Sequence, residues 1–252
     1  MIRLGTRRSR LATAQARIVA ERLGGAELVP ISTEGDRDAA RRFAEIGSGR
    51  GVFTRDIERA LLQGEVDAAV HSAKDLTGDM PAGLVLGAIL ERGDPRDAVC
   101  GPFASLAGIP AGSSVGTSSA RRAGLLAELR PDVRVVPLRG NVDTRLAKLD
   151  AGEADAIVLA AAGLERLGLG DRIAFLLDPH EFVPEAGQGA IVVQVRAGEE
   201  SLVTALDHAP TRAAVEAERE CVQRLGGGCT AAVAAHAWHE DGELKLRHWT
   251  AA

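Results

Sequence analysis

Two stretches of the chain carry the same layout, and that repetition limits the fold more than any other feature. "FTRDIERALLQGEVDAAVHSAKD" gives a helix with Ile57, Ala60 and Leu61 on one face, a glycine stop at Gly64 and a strand over 67–71. "NVDTRLAKLDAGEADAIVLAAAG" follows the same plan, with Leu146 and Leu149 on the helix face, Gly152 as the stop and a strand over 155–159. Both carry Gly-Glu-x-Asp-Ala at the junction. Upstream of each lies a strand, a Gly-Thr pair, a serine and a helix, in "IRLGTRRSRLATAQARIVAERL" and "SVGTSSARRAGLLAELR". Two copies of one α/β unit account for this economically, each a mostly parallel sheet with helices on both faces. Ligands in such sheets bind beyond the carboxyl ends of the strands, where these strand-to-helix loops lie.

"ERGDPRDAV" is charged and bears Pro and Gly, as a crossing between units does, and "PHEFVPEAGQGAI" is a second crossing. Beyond it "IVVQV" is a strand, a helix begins near Thr211 and ends at the glycines of "RLGGGCT", and two short strands joined at "HEDGE" complete the chain. The expected division is 1–91 with 189–206, then 92–188, then a small α+β piece over 207–252.

At 252 residues, with 46% hydrophobic and 26% charged residues, the chain belongs among globular proteins. The longest apolar run, near 156–162, is too short to span a bilayer, and Arg3, Arg7, Arg8 and Arg10 interrupt the start before any signal-peptide core develops, so a cytoplasmic protein is expected. A formal net charge of -5 argues against a general nucleic-acid binder. Cys100, Cys221 and Cys229 are too widely spaced for a zinc site or a disulfide framework, and no metal is expected. Cys100 and Cys221 read as packing. Cys229, directly behind three glycines, reads as a loop residue.

Lys74, Lys148 and Lys245 are the only lysines, so the basic residues are nearly all arginine, whose planar fork grips carboxylates with two hydrogen bonds. In "GTRRSR" and "GTSSARR" the arginines fall at or inside a first helical turn, where the macrodipole disfavours cations unless an anion is also present. Arg139 and Arg145 in "LRGNVDTR" follow on the next such loop. The favoured reading is an anion site between two units. Thr6, Ser9, Thr117, Ser118 and Ser119 serve as helix caps or as donors to a bound oxyanion. "GSGRGVF" has no nucleotide-loop spacing and reads as a glycine-rich segment able to fold over a ligand. "HSAKD" places Lys74 and Asp75 at the same carboxyl edge, with His71 as a structural hydrogen-bonder rather than a base.

The segments "LGTRRSRLA", "AVHSAKDL", "ERGDPRDA", "VGTSSARR", "LRGNVDTRLAKLD", "LAAAGLERLG", "AGQGAI" and "GGGC", in this order and spacing, resemble the porphobilinogen deaminase (hydroxymethylbilane synthase) family over almost the whole chain. The resemblance implies three domains, the first two doubly wound and like periplasmic binding proteins, with a third that is incomplete relative to the family. It implies a transferase of tetrapyrrole biosynthesis that joins four porphobilinogen molecules head to tail with loss of ammonia, working as a monomer on a small molecule without nucleic acid or membrane. A dipyrromethane cofactor would be held through a thioether to Cys229. Arg7, Arg121, Arg122, Arg139, Arg145 and Arg166 would bind the carboxylates of cofactor and substrate, with Ser9, Lys74, Thr117, Ser119, Gly140 and Gln188. Asp75 aligns with the catalytic aspartate, which stabilises the cation formed as ammonia departs. The chain departs from the family in having Arg10 where proline is usual, Glu45 for a common lysine and one extra residue in "IGSGRGVF". The competing readings are a cytoplasmic anion-binding protein, a ligand-sensing domain and an inactive truncated deaminase.

Overall fold

The computed structural model describes residues 1–33, 54–76, 80–226 and 232–251. The first sheet contains β1 (Arg3–Arg7), β2 (Glu27–Ile31), β3 (Ala68–Ser72), β4 (Leu84–Ile89) and β10 (Ile191–Arg196), in the order β2-β1-β3-β10-β4. The second contains β5 (Asp97–Cys100), β6 (Ser114–Gly116), β7 (Arg134–Val136), β8 (Ala156–Ala160) and β9 (Phe175–Leu176), in the order β7-β6-β8-β5-β9. Three strands of each pair in parallel, and a fourth, β10 or β5, runs antiparallel to both of its neighbours. That reversed strand is in each case the one that enters straight after a crossing from the other unit. The sheets are thus parallel-rich as expected, with one reversed strand apiece.

The repeat is physical as well as textual. Helix α2 (Arg55–Leu62) leads to Gly64 and helix α4 (Val142–Asp150) to Gly152, and both glycines have positive φ, +71° and +76°, which side-chain-bearing residues rarely adopt. The strands that follow begin one residue later than the sequence pattern suggests. The aspartate before each binds the start of the neighbouring strand: Arg3 N donates to Asp67 Oδ2 at 2.8 Å and Ser114 N to Asp155 Oδ2 at 2.7 Å. Gly5 and Gly116, from the two Gly-Thr pairs, lie where a Cβ would come within 3.1 Å of Val66 and Ile157 side chains respectively. Each lets a neighbouring side chain pack tightly against the strand.

Helix α1 (Arg10–Arg22) starts at Ser9, whose Oγ accepts from Ala12 N, and covers one face of the first sheet with Ala16 and Val19. Ile57, Ala60 and Leu61 of α2 cover the other, as their spacing predicts. In the second unit, α3 (Ala120–Leu129) buries Leu125 and Leu126 on one face and α4 buries Leu146 on the other, with α5 (Ala161–Arg166) following β8.

The third piece consists of α6 (Ala209–Arg224) and a hairpin of β11 (Val233–Glu240) and β12 (Glu243–Thr250), strands longer than the short ones expected. Its turn is Asp241-Gly242, both with positive φ, the pair that a two-residue hairpin favours. Glu218 of α6 is fully buried and accepts from Arg92 Nη1 at 2.6 Å, from Gly187 N at 2.7 Å and from Ala237 N at 2.7 Å. One carboxylate therefore ties the helix to both crossings and to the hairpin. At the far side Trp249 Nε1 donates to Glu128 of α3 at 2.6 Å, and its ring fills the space over Gly124, where a Cβ would be 2.4 Å away. Among the described residues no helix is long and apolar enough to cross a membrane.

Candidate functional site

At the carboxyl edge of the first sheet, β3 runs into a 3-10 turn, Ala73–Asp75, which throws Lys74 and Asp75 to different sides. Asp75 lines a recess with Arg7, Ser9, Gln15, Thr54, His71 and Ser72. Gln15 Nε2 donates to Ser72 Oγ at 2.7 Å, fixing α1 against the end of β3. Burial pushes the Asp75 carboxyl above its ordinary value, while Lys74 and Arg7 pull it back towards the charged form. His71 is 5% exposed, and burial drives it down to about 4, so it is neutral and a weak base. That speaks against a role as base.

Lys74 turns the other way. Its Nζ donates to Gln188 Oε1 at 3.3 Å, and Gln188 Nε2 in turn donates to Asp97 Oδ1 at 3.1 Å and to Pro95 O at 2.8 Å. The close passage of the second crossing over the turn needs Gly187, with φ of +74°, because a Cβ there would lie 2.8 Å from that of Ala73. Burial lowers the Lys74 pKa, against the pull of Glu185 and Asp75.

Arg121 and Arg122, expected to bind ligand carboxylates, already hold a carboxylate of the protein. Both are buried on Asp97, which is fully buried on β5: Arg121 Nη1 donates to Asp97 Oδ2 at 2.7 Å and to Val183 O at 2.7 Å. Arg122 donates to Asp97 Oδ1 through Nη2 at 2.8 Å and to Val158 O through Nη1 at 3.0 Å. Burial alone would raise the Asp97 pKa, but the two guanidinium groups overcome it and hold the carboxyl far below the usual range. The anion that licenses two arginines in the first turn of α3 is the protein's own. Sequence reasoning passed over Asp97, Glu218, Gln15 and Ser72. An acidic residue opening the apolar strand "DAVC", and another on the Ala214–Val215 face of α6, were the signals for the first two.

The other candidates fall into two groups. Thr117 is buried and accepts from Ser119 N at 3.2 Å, and Ser119 Oγ accepts from Arg122 N, so both hold the start of α3. Gly140, with φ of +123°, offers its carbonyl to Arg145 Nε at 2.8 Å. Arg139 is exposed on the same loop. Arg145 and Arg166 are half-buried guanidinium groups with no ion-pair partner among the described residues. Burial lowers each to about 10, with Arg122 adding to the effect at Arg145 and Glu165 opposing it at Arg166. Arg166 lines a separate hollow with Arg22, Arg92 and Gly93, and its Nη2 donates to Gly189 O at 2.6 Å.

Half-buried cations without counter-charges are costly unless an anion joins them. Arg121 adds Nε and Nη2, both buried without a hydrogen bond. These features fit a ligand with many carboxylates, such as a dipyrromethane. Cys229, the glycine-rich segment over 47–53 and Glu45 lie outside the described residues. Cys100 is buried, and its thiol is pushed up to about 11 by burial; burial also raises Cys221, in keeping with packing roles. Among the described residues no cluster of His, Cys, Asp or Glu could hold a metal ion.

The family description "Porphobilinogen deaminase, dipyromethane cofactor binding domain" matches residues 2–204. The porphobilinogen deaminase of Paraburkholderia phymatum is 48% identical over 254 residues, covering 97% of this chain and 77% of that protein. That of Stenotrophomonas maltophilia is 48% identical over 256 residues, covering 98% and 84%. Among solved structures the methionine-binding protein MetQ superposes with a TM-score of 0.50 at 15% identity, covering 95% of this chain and 98% of that structure. That distant likeness speaks for the fold alone, and a reading as a mere anion-binding protein is not favoured beside relatives at this identity. With the family model covering most of the chain and relatives aligned over nearly all of it, the chain belongs to the porphobilinogen deaminase family, the transferases that carry a dipyrromethane cofactor and build a linear tetrapyrrole from porphobilinogen.

Proposed function

We propose that the recess at Asp75 is where the aminomethyl group of porphobilinogen loses ammonia and the new carbon–carbon bond forms. The observation that carries this reading is the placement of Asp75 at the carboxyl end of β3, facing Arg7 and Ser9 in a partly enclosed recess. As the C–N bond breaks, ammonia leaves with the bonding pair and positive charge spreads over the substrate ring. The Asp75 carboxylate, fixed before the reaction begins, stabilises that charge and accepts hydrogen bonds from pyrrole N–H groups. The proton released as the joined ring regains aromaticity goes to solvent or to Asp75. Arg7 and Ser9 orient the substrate's acetate and propionate.

The dipyrromethane, held through a thioether to Cys229, supplies when bound the pyrrole carbon to which the first substrate is joined. Arg145 and Arg166 would hold its carboxylates with those of the growing chain, because neither has an ion-pair partner among the described residues, with Arg139 and the Nε–Nη2 edge of Arg121 as further donors. Arg122, Thr117, Ser119, Gly140, Lys74 and Gln188 would shape the wall behind them. We further infer a cytoplasmic monomer acting on a small molecule, without nucleic acid or membrane.

The test is intact mass with steady-state turnover. The protein incubated with porphobilinogen should gain the mass of a dipyrromethane, and Cys229→Ser should not. Asp75→Asn should retain the adduct while turnover falls by about 10²-fold or more, the loss typical of removing an electrostatic stabiliser. Since Asp75 works ionised and its pKa is raised, wild-type activity should fall on acidification at a pH above the ordinary aspartate range. Near-normal turnover of Asp75→Asn removes this residue from the mechanism.

A further inference from the structure

Arg10 opens α1 and Asp143 lies in the first turn of α4, so their ion pair joins the loop edge of the first sheet to that of the second. Arg10 borders the mouth of the Asp75 recess. Ser9 and Leu11, on either side of Arg10, both line the recess, and Leu11 approaches Gly163 of α5, where a Cβ would be 3.5 Å from its side chain. Asp143 stands between Arg139 and Arg145, on the loop assigned above to carboxylates. We propose that Arg10 and Asp143 form a carboxylate-exchange latch across this mouth: Asp143 occupies the guanidinium when the crevice is empty, and a carboxylate of porphobilinogen or of the lengthening chain displaces it.

Three features distinguish this pair from the buried Asp97 cluster. The Arg10 side chain is 67% exposed and that of Asp143 37%, so the pair is weak, screened by salt and readily exchanged. Asp143 engages the guanidinium through Nη1, and an incoming carboxylate can take that bond and add a second from the same fork. Asp143, once released, remains at a helix N-terminus, where a negative charge is favoured without Arg10. A ligand shifts such an equilibrium only through contacts it makes in one state and not the other, and the freed Arg10 supplies that contact. Arg10 is therefore a positioning residue for substrate entry.

The inference rests on the reading of the recess as the deaminase site, and the experiment separates the two. KM for porphobilinogen is measured for the wild type, Asp143→Asn, Arg10→Ala, Arg10→Lys and the Arg10→Ala/Asp143→Asn double variant, at low and at physiological ionic strength. Removing the internal competitor in Asp143→Asn should lower KM about threefold at low salt, the scale of an exposed ion pair, with a smaller effect at higher salt. Arg10→Ala should raise KM, Arg10→Lys should restore most of it, and Asp143→Asn should have no further effect once Arg10 is gone. Additive effects of the two substitutions, or a raised KM in Asp143→Asn, overturn the latch while leaving the site intact. A wild-type chain that forms no tetrapyrrole overturns the reading of the recess and the latch with it.

Discussion

The β1–α1 and β6–α3 loops begin alike and end in opposite chemistry. Each leaves a Gly-Thr pair, and each is capped by a serine that accepts a hydrogen bond from the third residue of its helix, Ala12 in one and Arg122 in the other. The first loop is one residue longer, however. Aligned on their caps, Leu11 and Ala12 occupy the places of Arg121 and Arg122. The strands opposite differ to match. Ile191 of β10 faces Ser72 at the end of β3, and Asp97 of β5 faces Ala160 at the end of β8. One unit lines this corner with apolar side chains, the other fills it with a buried carboxylate and two guanidinium groups. A shared run of arginine therefore does not mean a shared role. In the second unit the run is largely structural, and in the first it leaves Arg7 at the recess.

The comparison can be broken most directly at Asp97. Asp97→Asn leaves two buried guanidinium groups without their counter-charge and should cost about 3–5 kcal/mol by denaturant unfolding. A loss below about 1 kcal/mol would show that the cluster does not hold the second unit together.

Acid should separate the units next. Below the ordinary histidine value of 6.5 the unfolded chain takes up a proton at His71, whereas the folded chain resists until about 4. The stability this represents is complete above 6.5 and is lost as pH falls towards 4, by up to about 3 kcal/mol. Asp97, whose pKa is depressed, keeps its contribution throughout that window. Stability against pH, measured for the wild type and His71→Gln, should therefore show a steeper acid decline in the wild type; coincident curves would assign the decline elsewhere.

The smallest effect concerns the element the two units share. Gly5→Ala and Gly116→Ala each bring a Cβ to 3.1 Å from a packed side chain, so both should change stability in the same direction and by similar amounts, reaching a loss of about 1–3 kcal/mol where the neighbour cannot give way. A marked asymmetry in melting temperature would show that the repeat is one of sequence more than of packing.

The repeat, its helix faces, its glycine stops and the carboxyl-edge position of Asp75 were all legible in the sequence, because each depends on neighbours within a few turns or on a period. The burial of Arg121 and Arg122 on Asp97 was not. Asp97 lies 24 residues from Arg121, within a stretch that reads as a charged linker, and nothing local says that strand β5 will bring it under α3. Glu218 is concealed in the same way, on a helix rich in charge, with partners on three distant segments. A one-residue difference in loop length, easily overlooked in "GTRRSR" against "GTSSARR", decides which side chains enter the helix.

The exchange of reversed strands also orders the making of the molecule. Among the described residues β4 pairs only with β10, so the amino-terminal sheet lacks its joining strand until residues 191–196 have been synthesised, whereas the described strands of the second sheet are all present by Leu176. A nascent chain emerging from the ribosome can close its second half first, and its beginning is completed by a contact of very high sequence separation. The half that carries Asp75 is thus begun first and finished last.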